Sequence, residues 1–538
     1  MKRRTLAGVG LLTAVNAALL GAHLGSKSIW IDEALGVKTA RIRSIAAAYA
    51  RYRSNEVQPP LNNVLLWIWA RIAGTSDAVM RVPSVVLTVA CVPLVFLLAR
   101  RLVGRRPAWV ATYLFAISPF VLLFGRMSLY YMPTLFLALC SALTLIAAFE
   151  RGRWWWALHA GAGALLLLTN YTAAAYLVVE TIVGGLVVFG KMDMTGDLLR
   201  SVRQRRAWFA SAAAVAAAFA AWLAIDRGRL FSTPISRPRA AEILGVPRLV
   251  LDAAYPVFAW TLGPTIFPWR LVGAVATVAA VVALVAGAVA VLRSRRYFVA
   301  AASVGVVAIT VVAYQVYVKG RPFETIPTRA IAAFPFVLMV AACGVTRLGR
   351  AGGAVVLALL TAGYGLGAAN YFTNREFHNA IYAVPSRDIA RDIVSRAQPG
   401  DVVVVQDDSE VQYYLASTPR APCTVRLNAS SLVDAAALRA LQSHSPSRVW
   451  TVMLGRDGSQ GRIPAGTTDW IGTTYELAAT RGYAPQDATY AAIKRRIEGT
   501  AYRYKAVLRL FDRPRIPTSR ASCELLQPTT ASLYSPRP

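Results

Sequence analysis

Asp32 and Glu33 are adjacent carboxylates in a polar stretch, SIWIDEALGVKTARIRSIAAAYARYRSNEVQPPL at 28–61, between two apolar segments of a greasy, basic chain. Neighbours in sequence project about 100° apart on a helix and to opposite faces of a strand, so they cannot share a proton as a dyad. Two roles are open to them. One carboxylate facing a cavity is a general base. Asp32 could equally cap a helix that begins at Glu33, its side chain accepting the free amides of the first turn, and both roles can coexist. The complement is cationic: Arg126, Lys319, Arg321 and Arg329 fall at or near span ends. There a guanidinium or ammonium either snorkels to lipid headgroups or binds an anion, and arginine suits phosphate especially well. Tyr131, beside Tyr130, reads as an interfacial aromatic or a lining residue of that anion site. Four such cations on the same side as a carboxylate fit a lipid-phosphate site.

These residues must be positioned by a membrane framework. Of 538 residues, 56% are hydrophobic and only 16% charged, too apolar a balance for a soluble domain. The net charge of +31 would suggest nucleic acid in a soluble protein. Here arginines punctuate the ends of apolar runs, where they orient spans, and no basic-aromatic groove for single strands is evident. Crossing about 30 Å of hydrocarbon takes roughly 20 residues. Runs of that kind lie near 5–24, 80–99, 107–124, 133–150, 154–170, 171–190, 207–226, 271–292, 297–317, 329–346 and 351–371. The first reads as an uncleaved signal anchor. The segment 59–73, PPLNNVLLWIWARIA, is short for a span after its prolines; laying it on the outer surface puts the RRLVGRR loop and the other basic loops in the cytoplasm. About 11 spans follow, with the N-terminus inside, the C-terminus outside and a first outer loop at 25–79. Within that loop Ala34–Arg53 has the periodicity of an amphipathic interfacial helix.

After about residue 371 the character changes. SRDIARDIVSRA and LVDAAALRALQS read as helices; PGDVVVVQDD, SRVWTVMLG and YKAVLRLF read as strands. The alternation predicts a small extracytoplasmic α/β domain over 372–538, following a transmembrane domain over 1–371. Asp407 and Asp408 end its first strand, where a solvated turn is the simpler reading than a ligand pair. Cys423 and Cys523 could pair in an oxidising compartment. The histidines are scattered and form no metal set.

WIDEA after the first span, PPL opening the next apolar segment, RVPS at 81–84, SPFVLLFGRMSLYY at 118–131 and TRAIAAFPFVLMVAACG at 328–344 together resemble the GT-C glycosyltransferases that use polyprenyl-phosphate sugars. That superfamily includes protein O-mannosyltransferases and the lipid A aminoarabinose transferase. The resemblance covers most of residues 1–371. It implies a polytopic GT-C membrane fold with outer juxtamembrane helices, Asp32 as base with Glu33 beside it, and Arg126, Tyr131, Lys319, Arg321, Arg329 and Gln58 at the lipid-phosphate site. Gln58 stands before PPL where family members usually carry histidine or an acid-lysine pair; one loop arginine is missing, and Ala330 replaces the tyrosine after Arg329. The resemblance leaves room for a divalent metal, for which the sequence supplies no ligand set. It implies an inverting enzyme of the inner membrane that moves a sugar from a polyprenyl-phosphate donor to a hydroxyl on a glycan, lipid or protein, with membrane lipids as further partners and no nucleic acid. The alternatives are a lipid or glycan flippase or transporter, and a non-catalytic glycan-binding assembly protein of the envelope.

Overall fold

The computed structural model describes residues 3–512 other than 57, 153, 190–201, 227–245, 318–322, 407–409, 419–421, 428–437, 440, 444–445, 457–464, 484–486 and 499–503. Lys319, Arg321, Asp407, Asp408 and Cys523, the side chain of Cys423 and most of the expected helix at 432–443 lie outside the described residues. The chain divides into two units, Met1–Ser26 with Gly36–His378, and Lys27–Leu35 with Asn379–Pro538.

The helices run α1 (Arg3–Gly21), α2 (Ile31–Arg41), α3 (Ile45–Asn55), α4 (Leu61–Ala73), α5 (Asp77–Leu102), α6 (Arg105–Ile117), α7 (Pro119–Phe124), α8 (Tyr131–Arg151), α9 (Trp155–Leu167), α10 (Ala174–Val188), α11 (Val202–Ile225), α12 (Val246–Thr261), α13 (Leu271–Arg293), α14 (Tyr297–Tyr317), α15 (Ile326–Arg329), α16 (Phe334–Arg347) and α17 (Gly349–Thr373). Among the described residues, 7 helices are long and apolar enough to cross a membrane: α1, α5, α8, α10 with the 3-10 turn before it, α11, α13 and α17. An eighth candidate is a broken span, Phe323–Arg329 with Ile331–Arg347, bent by 61°. The chain is thus a multi-pass membrane protein.

Two expected helices are each split. The run 107–124 forms α6 and α7, because Ser118 is extended and its Oγ accepts from the amides of Phe120 and Val121 at 3.2 and 3.4 Å, with Pro119 opening the new helix. Ala34–Arg53 is divided between α2 and α3, with Ser44 capping α3 through the Ala47 amide at 3.4 Å. The segment 59–73 forms α4, whose Val64, Leu65, Ile68 and Ile72 are exposed while Asn62, Leu66 and Ala70 are buried. Trp67 and Arg71 tie α4 to the end of α2: the indole donates to the Ile42 carbonyl at 2.8 Å, and Arg71 donates to the carbonyls of Ala40, at 2.9 Å, and Ile42. Those bonds satisfy carbonyls that a helix end leaves open.

Inside the membrane unit a polar cluster joins three helices. Ser141 of α8 donates to Glu180 of α10 at 2.7 Å, and Tyr176 donates to the other carboxylate oxygen at 3.0 Å. With the serine hydrogen so used, His159 of α9, at 3.3 Å from Ser141, supplies the proton of that contact from Nδ1. Glu180→Ala removes the acceptor shared by the two hydroxyls, leaving Tyr176 the Ala138 carbonyl at 3.3 Å and Ser141 its contact with His159; we expect a loss of about 1 kcal/mol, read by unfolding in detergent.

At one end of this unit the basic turns meet. Arg101 pairs with Glu150 at 2.6 Å, and Arg296 donates to the Leu102 carbonyl. The turns at 100–106, 150–151 and 293–296 therefore share an end. Helices α13 and α16 touch backbone to backbone. A Cβ on Gly287 would lie 1.8 Å from the Val340 carbonyl oxygen, and one on Gly344 would lie 1.8 Å from that of Ala283. Ala283 and Gly287 thus face Val340 and Gly344 in the small-residue spacing that lets membrane helices touch backbone to backbone.

The second unit holds a sheet of β1 (Val402–Gln406), β2 (Cys423–Leu427), β3 (Arg448–Arg456), β4 (Glu476–Tyr483) and β5 (Tyr504–Asp512), with helices α18 (Ser386–Arg396), α19 (Glu410–Ala416), α20 (Ala465–Thr474) and α21 (Ala488–Glu498). Strand order is β2-β1-β3-β5-β4, parallel across the first three and antiparallel at β3–β5 and β5–β4. The all-valine run of β1 follows from its central place. Val403 and Val405 enter one core with Ile389, Val411 and Trp450; Val402 and Val404 enter the other with Leu441, Val449 and Ile471. A strand covered on both faces has no polar alternation. The α/β character is the one the sequence predicts for the C-terminal part.

Candidate active site

Of the two roles the sequence leaves open for Asp32, the cap of a helix beginning at Glu33 is not the one observed, because the helix begins at Ile31. Trp30 occupies the cap position, and Glu33, 1% exposed, returns a carboxylate oxygen to the Trp30 amide at 3.4 Å. This is the backward half of a capping box, and it suits Glu33 because a negative charge is favoured in the first turn. Asp32 lies inside that turn and is only half-buried. Of the two acids, Glu33 is occupied by the helix start and Asp32 is the one that solvent reaches.

In the membrane unit, Arg126 lies in the loop between α7 and α8. Gly125 precedes it because a Cβ there would sit 2.5 Å from the Val121 carbonyl oxygen and 3.0 Å from Leu20 and Thr88. Arg126 is 2% exposed. One guanidinium nitrogen donates to the His23 carbonyl at 2.7 Å, and the group lies over the rings of Tyr371 and Phe372 at 5.3 and 5.4 Å. Its Nε and Nη1 are buried without a hydrogen-bond partner among the described residues. Burial lowers its pKa; Tyr371 opposes the shift and the like charge of Arg81 adds to it. A guanidinium stays charged under such pressure, so the loop holds a desolvated cation with donors to spare.

Arg329 ends the short limb of the broken span. It donates to the Tyr130 hydroxyl and lies 5.4 Å over that ring. Asn170 caps the Tyr171–Ala173 turn by accepting from the Thr172 amide at 3.0 Å, and the single Thr172 hydroxyl hydrogen is shared between the Arg329 carbonyl and the Asn170 side-chain oxygen, each at 2.9 Å. Gln58 joins the same assembly: its side-chain oxygen accepts from the Tyr171 amide at 3.3 Å, and its amide donates to Glu56 at 3.0 Å. Tyr171 in turn accepts from the Trp222 indole at 2.9 Å. Tyr131 is buried, packed edge-on against Tyr130 at 4.9 Å and Phe124 at 5.5 Å.

Among the sequence-derived candidates, then, Gln58, Arg329 and Tyr131 belong to one contact network centred on Asn170–Thr172 and Tyr130. Arg126 is held separately by the end of α17 and the loop after α1. Asp32 and Glu33 share the first turn of α2 in the second unit. Sequence reasoning missed Asn170, Tyr171, Thr172, His23 and Tyr371. The one available signal was the abutting of two short apolar runs at Asn170. No group of three or more His, Cys, Asp or Glu suited to a metal occurs among the described residues.

Residues 57–225 match the family described as dolichyl-phosphate-mannose-protein mannosyltransferase. No curated protein matches the chain in sequence. Among solved structures the chain is similar to ArnT from Cupriavidus metallidurans in the apo state, at 12% identity and a TM-score of 0.54 over 98% of this chain and 100% of that one. It is similar to the same protein bound to undecaprenyl phosphate at 13% identity and a TM-score of 0.51, over 93% and 97%. The arabinofuranosyltransferase AftD from Mycobacteria aligns at 15% identity and a TM-score of 0.47, over 96% of this chain and 40% of that one. The chain thus shares the fold of ArnT, and over residues 57–225 it matches the model of the dolichyl-phosphate-mannose-protein mannosyltransferase family.

Proposed function

We propose that the protein is an inverting glycosyltransferase that moves a sugar from a polyprenyl-phosphate carrier to an acceptor hydroxyl at the outer face of the cytoplasmic membrane. Asp32 takes the hydroxyl proton as the acceptor oxygen attacks the anomeric carbon. The bond from that carbon to the phosphate oxygen breaks, and polyprenyl phosphate leaves with the electron pair. A phosphate leaving group needs no general acid if cations meet its charge, so one carboxylate suffices where a glycosidase needs two. Arg126 and Arg329 meet that charge, with Lys319 and Arg321 as further cations, and Gln58 and Tyr131 support the Arg329 network. The turns that gather arginines at one end of the membrane unit favour that end for the cytoplasm.

The observation that carries this reading is Arg126, buried with two nitrogens free of hydrogen-bond partners among the described residues. A desolvated cation with open donors is stabilised by an anion that brings its own oxygens, and the solved ArnT complex with undecaprenyl phosphate supplies the class of ligand. A hydrogen bond to a charged group is worth about 1.5–3 kcal/mol. Arg126→Gln should therefore weaken binding of sugar-free undecaprenyl phosphate about 10- to 100-fold; unchanged affinity would remove Arg126 from the site. Incubating the purified protein with labelled polyprenyl-phosphate pentoses and hexoses tests the reaction. Free lipid phosphate together with labelled acceptor supports transfer. Movement across vesicles without cleavage would replace transfer with a flippase, and binding of labelled glycan alone would leave an assembly protein.

A further inference from the structure

We propose that Ser28 and Tyr414 are positioning residues for Asp32, through which the α/β fold of the second unit grips the chain just ahead of that carboxylate. The inference rests on Asp32 acting as the base. Its starting point is α18, which begins after Pro385 and has no side-chain cap of its own. The Arg387 amide in its first turn donates instead to the Ser28 hydroxyl at 3.0 Å. That is the bond a helix's own cap serine normally accepts, here made by a residue 359 positions earlier.

The next residues are held as firmly. Ile29 is 1% exposed, and its amide donates to the Tyr414 hydroxyl at 2.8 Å. Tyr414 sits on α19, whose Val411 and Leu415 are in the core beside β1. Its ring lies 5.4 Å from the Arg387 guanidinium and edge-on to Tyr413 at 5.1 Å. Trp30 then meets Tyr382 edge-on at 5.2 Å. Ser28, Ile29 and Trp30 are thus each fixed by the α/β fold, and Glu33 closes back on the Trp30 amide. Asp32 stands on backbone that has been fixed on both sides.

A base set on a looser turn loses rate, whereas donor affinity resides in the cations. A misplacement of about 1 Å costs on the order of 100-fold in rate, so partial loosening should cost about tenfold in kcat at unchanged donor KM. The test uses the full chain in detergent with Ser28→Ala, Tyr414→Phe, and Ser28→Thr, which restores the hydroxyl. Hydrogen exchange of residues 27–35 should accelerate about tenfold in the first two and stay at the wild-type rate in the third, with β1 unchanged in all. In the transfer assay the first two should lose kcat alone. Unchanged exchange at 27–35, or equal acceleration in β1, overturns the grip. If the wild-type protein transfers no sugar, it is the assignment of Asp32 as base that falls, because the exchange result is read without any substrate.

Discussion

Asp32→Asn should lower kcat about 10²- to 10⁴-fold, the usual contribution of a general base, with binding of undecaprenyl phosphate unchanged. Asparagine keeps the size of the side chain and removes its capacity to take a proton. Glu33→Gln should behave differently, because a glutamine oxygen still accepts from the Trp30 amide and glutamine is an accepted partner in that cap. It should cost at most about 1 kcal/mol of stability and leave most of the transfer rate. The pair of variants, assayed on one labelled donor, separates the two acids. A silent Asp32→Asn with an inactive Glu33→Gln would move the base by one residue; two active variants would remove it from this turn altogether.

The largest effect on folding should come from Gly344→Leu. Any Cβ at this position meets the Ala283 carbonyl oxygen at 1.8 Å, and a backbone atom cannot rotate away as a side chain can. Helices α13 and α16 must separate, which exceeds ordinary overpacking at about 1–3 kcal/mol. The consequence reaches the Arg329 network, because α16 lies in the second limb of the broken span whose short limb ends in Arg329. We expect Gly344→Leu to give little monodisperse protein after detergent extraction. Gly365→Ala is the matched control, since a Cβ there has nothing within 4 Å; it should be neutral or gain up to about 1 kcal/mol. Equal yields from both variants would mean that α13 and α16 do not pack as described.

The membrane character and the α/β character of the second unit were legible because they rest on runs: apolar stretches of sufficient length, and an uninterrupted valine strand that only a doubly covered position explains. The split at Ser118–Pro119 was not read, although a cap residue followed by proline marks it locally, because hydropathy averaged across the run 107–124. The helix start ahead of Asp32 was harder, because Trp30 is an unusual cap and the bond that defines the turn comes from Glu33 behind it. The Asn170–Thr172 assembly was not readable. Its partners Gln58 and Arg329 lie 113 and 157 residues away from Tyr171 and Thr172, and no local pattern records contacts of that span. Arg126 was legible as a cation near a span end, yet its burial on the His23 carbonyl depends on how α1 ends.

The borrowed cap on α18 has a consequence in time. Ribosomes add about 5–20 residues per second, so the 359 residues separating Ser28 from Arg387 take roughly 20 to 70 s to make. Throughout that interval the Asp32 turn has already been synthesised while its anchorage does not yet exist. On the proposed reading, a nascent chain made only as far as its last span has no set base, and transfer waits until the α/β fold of the second unit has formed.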